Sequence, residues 1–128
     1  MSGINKVILV GHVGEDPELR VLDGEVNVAT FPLATSEIIN KKGVKVEQTD
    51  WHNIVMWRSL AEVAFKLLKK GKLIYVEGKC RTRSFEDKSG VKKYTTEIIA
   101  ESFTILGRSS DFGADDLPAQ VDRESQIK

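Results

Sequence analysis

Hydrophobic and polar positions alternate with a period of two along most of the first 107 residues, and with a period near 3.6 in one place only. Asn5 to Val13 is a compact, β-branched apolar run, which predicts a first strand bent or bulged at Gly11. Gly14-Glu-Asp-Pro-Glu is turn chemistry, Leu19–Leu22 a short extended segment, and Asp23-Gly24 a hairpin signal. Glu25–Thr35 alternates again, and Pro32 within it suits an edge or a bulge. Ser36 to Lys45, built around Asn-Lys-Lys-Gly, is expected to be a flexible basic hairpin connection. From Thr49 to Trp57 the pattern puts Thr49, Trp51, Asn53, Val55 and Trp57 on one strand face and His52, Ile54 and Met56 on the other.

The helical period falls at Ser59–Lys70, where Leu60, Val63, Ala64, Leu67 and Leu68 mark one stripe. Ser59 and Glu62 have capping-box spacing, Lys69 and Lys70 suit the negative end of the helix dipole, and Gly71 is placed to stop the helix. Leu73–Gly78 predicts another strand. Arg81–Glu86 and Lys92–Ile99, on either side of Asp87-Lys-Ser-Gly90, predict a hairpin whose second arm continues to Gly107. Three strands, one helix, then two strands with long hairpins is the order of an all-β, five-stranded, partly open OB-type barrel with its helix between strands 3 and 4.

Charge divides this chain of 128 residues. The net charge is zero, yet residues 1–108 carry 17 Lys+Arg against 14 Asp+Glu, a balance of +3, and residues 109–128 carry 2 against 5, a balance of −3. Residues 1–108 are therefore expected to form one folded, mildly basic domain, and 109–128 a disordered acidic tail. Cys80 is the only cysteine, so no internal disulfide forms and a reducing compartment is expected. No apolar run approaches the ~20 residues that cross a bilayer, and the N-terminus lacks the features of a signal or transit peptide, which together imply a cytoplasmic protein.

Catalysis requires a constellation that this chain does not supply, so no enzyme is expected. His12, His52 and Cys80 are too few and too scattered for zinc, and no metal or cofactor is expected. Gly71-Lys-Leu lacks the glycine and hydroxyl of a phosphate loop, and Gly11-His-Val-Gly14 has the form of a GXXG loop without helical flanks. Aromatic residues beside basic ones are more informative. Trp51 and Trp57 share a face of their strand, and Arg81, Arg83 and Phe85 share a face of theirs. Lys41, Lys42 and Lys45 sit on one hairpin and Lys88, Lys92 and Lys93 on another. Tryptophan in a strand is commonly core, and lysine in a turn is commonly only solvated. Here the coincidence of rings with arginines, while Val, Ile and Leu fill the core positions, suits stacked bases and neutralised phosphates. A protein-binding adaptor face, or an RNA- or oligosaccharide-binding barrel, is the alternative.

The sequence resembles the bacterial single-stranded DNA-binding proteins, a family of homotetrameric OB folds, over about residues 3–107. The matching stretches include Asn5-Lys-Val-Ile-Leu-Val-Gly11, Gly14-x-Asp-Pro-Glu18 with Arg20, Ala34-Thr-Ser-Glu37 and Glu47-Gln-Thr-x-Trp-His52. Leu60-Ala-Glu-Val-Ala64, Lys70-Gly71, Val76-Glu-Gly78, Arg81-Thr-Arg83 and Tyr94-Thr-Thr-Glu97 follow in order. The resemblance implies non-enzymatic binding and protection of single-stranded DNA in replication, recombination and repair, in a nucleoid-associated homotetramer. It implies base stacking on Trp51, Trp57 and Phe85, phosphate contacts from Arg20, Lys70, Arg81 and Arg83, and a subunit-interface role for His52. Ile38 stands where the family has a fourth stacking aromatic. Asn53, Ser59 and Ser84 stand where it often has basic residues, and Lys42, Lys45 and Arg58 are the candidates to compensate. The family's acidic tail recruits replication and repair proteins and usually closes on Pro-Phe. Asp111, Phe112, Asp115, Asp116, Leu117 and Pro118 have that character, but Ala119 follows Pro118, and the sequence leaves open whether this segment recruits partners.

Overall fold

A computed structural model describes residues 2–108. The chain forms β1 (Val7–Val13), β2 (Glu18–Leu22), β3 (Val26–Lys41), β4 (Val44–Trp57), α1 (Ser59–Leu67), β5 (Lys72–Glu86) and β6 (Lys92–Arg108). Strand order is β1-β5-β6-β4-β3-β2, and β1 also pairs with β3. That extra pairing, His12 against Ala34 and Val13 against Leu33, closes a ring of five strands, with β2 hydrogen-bonded to β3 outside it. Leaving β2 aside, the helix falls between the third and fourth strands of the ring, as the pattern predicts. All the pairs are antiparallel except β4 with β6, whose short parallel contact joins Ile54 to Ile98 and Val55 to Ile99.

Ring closure depends on two glycines. A Cβ on Gly11 would stand 2.2 Å from the Ala34 carbonyl oxygen, and one on Gly78 the same distance from the Ile99 carbonyl oxygen. Gly78 also sits at a register shift between β5 and β6, where a bulge bends the strand into the barrel. The core is apolar. Phe31, Leu33, Ile54, Met56, Leu68, Ile74, Val13 and Val76 are its largest fully buried side chains, and no buried side-chain polar atom among the described residues lacks a partner.

Three local expectations are corrected. Ser36–Lys45 is not a flexible connection: β3 and β4 stay paired from Val28–Trp57 out to Lys41–Val44. The turn is only Lys42-Gly43, with φ of 52° and 81°, the positive pair that a two-residue hairpin of matching twist requires. The Asn40 side chain accepts from the Gly43 amide at 3.0 Å. The capping box at Ser59 is also absent. Arg58 occupies the N-cap with no side-chain cap bond, because the chain leaves β4 with Arg58 at φ 60° and Ser59 is already helical. Finally, the helix ends at Leu67 rather than Lys70. Leu68 is extended and fully buried, so packing it in the core stops the helix a turn early. For the same reason the inward face is Ala61, Ala64 and Leu68, while Val63 and Leu67 remain exposed.

Candidate nucleic-acid interface

The alternation along β4 divides core from surface as the sequence implies. Ile54 and Met56 are fully buried, and His52 on their face is half-buried, its Nε2 2.9 Å from Thr35 Oγ1. On the opposite face Trp51 is 63% exposed and Trp57 41%. Neighbouring strands extend that face through their register. Trp57 lies opposite Val28, which lies opposite Arg20, so one row crosses β4, β3 and β2. Val55 lies opposite Ile99, and two residues before Ile99 Glu97 faces Arg81, so a second row reaches β6 and β5.

These rows enclose a groove of about 440 Å³. Its floor is Val28, Val55 and Ile99, Trp57 forms a wall, and Arg20, Arg81 and Arg83 stand around it. A flat ring, an apolar floor and three guanidiniums suit an unstacked base with its phosphate. Two carboxylates complicate the charge. Glu97 binds Arg83 with both oxygens, Nε to Oε1 at 3.2 Å and Nη2 to Oε2 at 3.3 Å, and Glu18 takes Arg20 Nε at 3.2 Å. Only Arg81 of the three is outside an ion pair among the described residues.

The remaining candidates occupy three other places. Trp51 leans on the β1–β2 loop: a Cβ on Gly14 would meet its Cζ3 at 2.5 Å. The same loop holds Lys70, whose amide donates to Asp16 Oδ1 at 2.9 Å. Arg58 lines a separate cleft on the other side of Trp57. Lys42 and Lys45 lie towards the tip of the β3–β4 ribbon, Lys45 on the same strand face as Trp51, with Ile38 exposed opposite Glu47. Phe85 is exposed two positions beyond Arg83 on the β5–β6 ribbon, outside the groove lining. The candidates in the tail, Asp111, Phe112, Asp115, Asp116, Leu117 and Pro118, lie outside the described residues.

Sequence reasoning missed the groove floor and Glu97. Val55 belongs to the ring face by parity, and it is there, but only 4% exposed beneath the groove. Tyr94, which the sequence marks only as part of a matching stretch and gives no role, is exposed on the opposite face of the β5–β6 ribbon, with Lys92 Nζ 5.9 Å from its ring centre. Only its aromatic type beside lysines signals it. Among the described residues no group of three or more His, Cys, Asp or Glu is placed to hold a metal, and no helix is long and apolar enough to cross a membrane.

The sequence model of the Single-strand binding protein family matches residues 4–106, from before β1 to the last residues of β6. The chain belongs to that family. Among curated members, single-stranded DNA-binding protein 1 of Chlorobaculum tepidum is 44% identical over 126 residues, 96% of this chain and 78% of the relative. The single-stranded DNA-binding protein of Neisseria meningitidis serogroup A is 45% identical over 105 residues, 81% of this chain, which spans only 60% of that relative's length. A solved family structure, the Plasmodium falciparum protein in complex with single-stranded DNA, superposes with a TM-score of 0.77 at 33% identity, covering 82% of this chain and 97% of that one. The Plasmodium falciparum structure thus shares this overall fold, and the groove at Trp57 lies wholly within the region matched by the family model.

Proposed function

We propose that this chain binds and protects single-stranded DNA with little regard to sequence, and acts by binding rather than catalysis. The carrying observation is Trp57, half-exposed in the wall of an apolar-floored groove ringed by Arg20, Arg81 and Arg83. Bases stack on Trp51, Trp57 and Phe85. Phosphates meet Arg20, Lys70, Arg81 and Arg83, helped by Lys42, Lys45 and Arg58. Affinity falls with salt as counterions are released. A role in replication, recombination and repair, in a cytoplasmic, nucleoid-associated setting, is part of the same proposal.

Assembly into a homotetramer is part of the proposal. The outer face of β1 supports it, since Ile8 and Val10 are 56% and 45% exposed side by side on one strand, an apolar strip suited to a subunit contact. Beside them Lys6 Nζ lies 2.7 Å from Glu77 Oε2, and the Tyr75 hydroxyl donates to Glu77 Oε1 at 2.8 Å. These two bonds hold the Glu77 carboxyl below its ordinary range. His52 contributes to a subunit contact in the same proposal, and the acidic tail competes mildly with DNA for the basic groove.

The test is tryptophan fluorescence during titration with an unstructured oligo-thymidine at rising salt, with Trp51→Phe and Trp57→Phe to separate the signals. Quenching by both rings that weakens with salt is expected. No quenching of either ring in a folded protein would overturn the stacking interface and move a protein-binding adaptor ahead.

A further inference from the structure

Trp57 separates two concavities, and of the second the binding scheme above uses only Trp57 and Arg58, leaving its other lining residues without a role. It is a cleft of about 540 Å³ between the β2–β3 turn and the start of α1, lined by Val21, Leu22, Asp23, Val26, Trp57 and Arg58. Three aliphatic side chains and an indole share its lining with one guanidinium and one carboxylate, so it is mixed in character. Neither Asp23 nor Arg58 takes part in an ion pair among the described residues, so both heads remain available to a ligand.

Arg58 occupies its place at a cost. Its φ of 60° and ψ of −128° lie outside the left-handed helical region that non-glycine residues tolerate, in territory where glycine is at ease. Its amide donates to the Asn27 carbonyl at 2.7 Å and its carbonyl accepts from the Glu62 amide at 3.2 Å, so β3 and α1 clamp the backbone in that state. Backbone held in such a region by its surroundings clusters at ligand sites, and here the retained side chain lines a cleft beside an exposed ring.

We propose that this cleft receives one base displaced from the stacked tract, and that it favours guanine. The inference rests on the single-stranded DNA reading above. Guanine presents two adjacent acceptors, O6 and N7, that match a guanidinium fork, and two adjacent donors, N1–H and N2–H, that match a carboxylate. Thymine presents neither pair. Trp57 supplies the stacking surface, Arg58 the donors and Asp23 the acceptors. A phosphate can use Arg58 alone, as in the binding scheme above, whereas a guanine edge engages Asp23 as well, which is what would make the cleft selective.

The test compares an all-thymidine oligomer with a set in which a single dG is moved along the same length, by competition at fixed salt. With the unmodified chain, the best dG oligomer is expected to bind about fivefold more tightly than all-dT. Asp23→Asn, which keeps turn chemistry, and Arg58→Ala, which keeps the strained backbone, should each erase that advantage. Arg58→Gly should erase it too while raising the Tm, which separates loss of the guanidinium from loss of fold. No dG position gaining over all-dT, or a gain surviving in both Asp23→Asn and Arg58→Ala, would overturn the proposal. Failure of all-dT itself to bind would overturn the nucleic-acid reading and this inference with it.

Discussion

Glu97→Gln should tighten the binding of single-stranded DNA, although it removes the groove's best-formed ion pair. Arg83 is held by both oxygens of Glu97, with its own side chain 59% exposed and that of Glu97 12%. A phosphate approaching Arg83 must displace or share that carboxylate. A pair this exposed on its cationic side is worth about 0.2–1 kcal/mol, and that is the cost which DNA binding no longer meets in the variant. At ~1.4 kcal/mol per factor of ten, the gain is about 1.4- to fivefold per groove, and one more counterion released steepens the salt dependence by about 0.7 in log–log slope. The amide that replaces the carboxylate still offers Arg83 an oxygen, so the fold should lose no more than ~1 kcal/mol. Fluorescence titrations with oligo-thymidine at several salt concentrations measure affinity and slope together. Weaker binding with a shallower slope would refute the reasoning, because Glu97 would then be positioning Arg83 for the phosphate instead of competing with it.

Gly11→Ala should destabilise the domain by about 3 kcal/mol in urea unfolding, since the added carbon meets a backbone oxygen at 2.2 Å and neither strand of the closure can retreat; a loss under ~1 kcal/mol would contradict that closure. Lys42→Asn, at φ 52°, should steady the β3–β4 tip by about 1 kcal/mol, read as slower exchange of the Gly43 amide, while weakening DNA binding slightly through the lost charge. Asp87 accepts from the Val91 amide and from the Ser89 amide and hydroxyl, which together hold its carboxyl below the ordinary 3.8. Its folded value is the lower one, so its support for the β5–β6 turn is complete above pH 3.8 and is lost as pH falls through the depressed value. NMR of the Ser89 and Val91 amides during acid titration should show that loss, and Asp87→Asn should lack the acid transition.

The ring of strands was legible wherever one face is buried. Burial forces alternation, so Phe31 and Leu33 on β3 and Ile54 and Met56 on β4 showed their side in the sequence, and Trp51 and Trp57 showed theirs by parity. Between Ser36 and Asp50 that pressure disappears: nearly every side chain is exposed on both faces of the ribbon, and nothing in the pattern separates strand from loop. The helix start was misjudged because the capping pattern is local, whereas the chain's direction out of β4 is imposed by the Arg58–Asn27 hydrogen bond. The parallel contact of β4 with β6 joins residues more than forty apart, and no local signal encodes it.

That parallel contact is also what makes the groove. β4 supplies Trp57 and Val55, and β3 and β2 extend that face by local hairpins to Val28 and Arg20. Arg81, Arg83 and Glu97 belong to a hairpin formed independently, after the helix in the chain. Two residue pairs, Ile54–Ile98 and Val55–Ile99, hold the halves edge to edge and bury Val55 beneath them. The cationic wall and the stacking wall are therefore brought together by one of the barrel's two shortest seams. Loosening it would separate Trp57 from Arg81 and Arg83 while leaving each hairpin intact. Binding should for that reason be more sensitive than secondary structure to substitutions at Ile98 and Ile99, because the apolar floor works both as core and as the base on which a nucleotide rests.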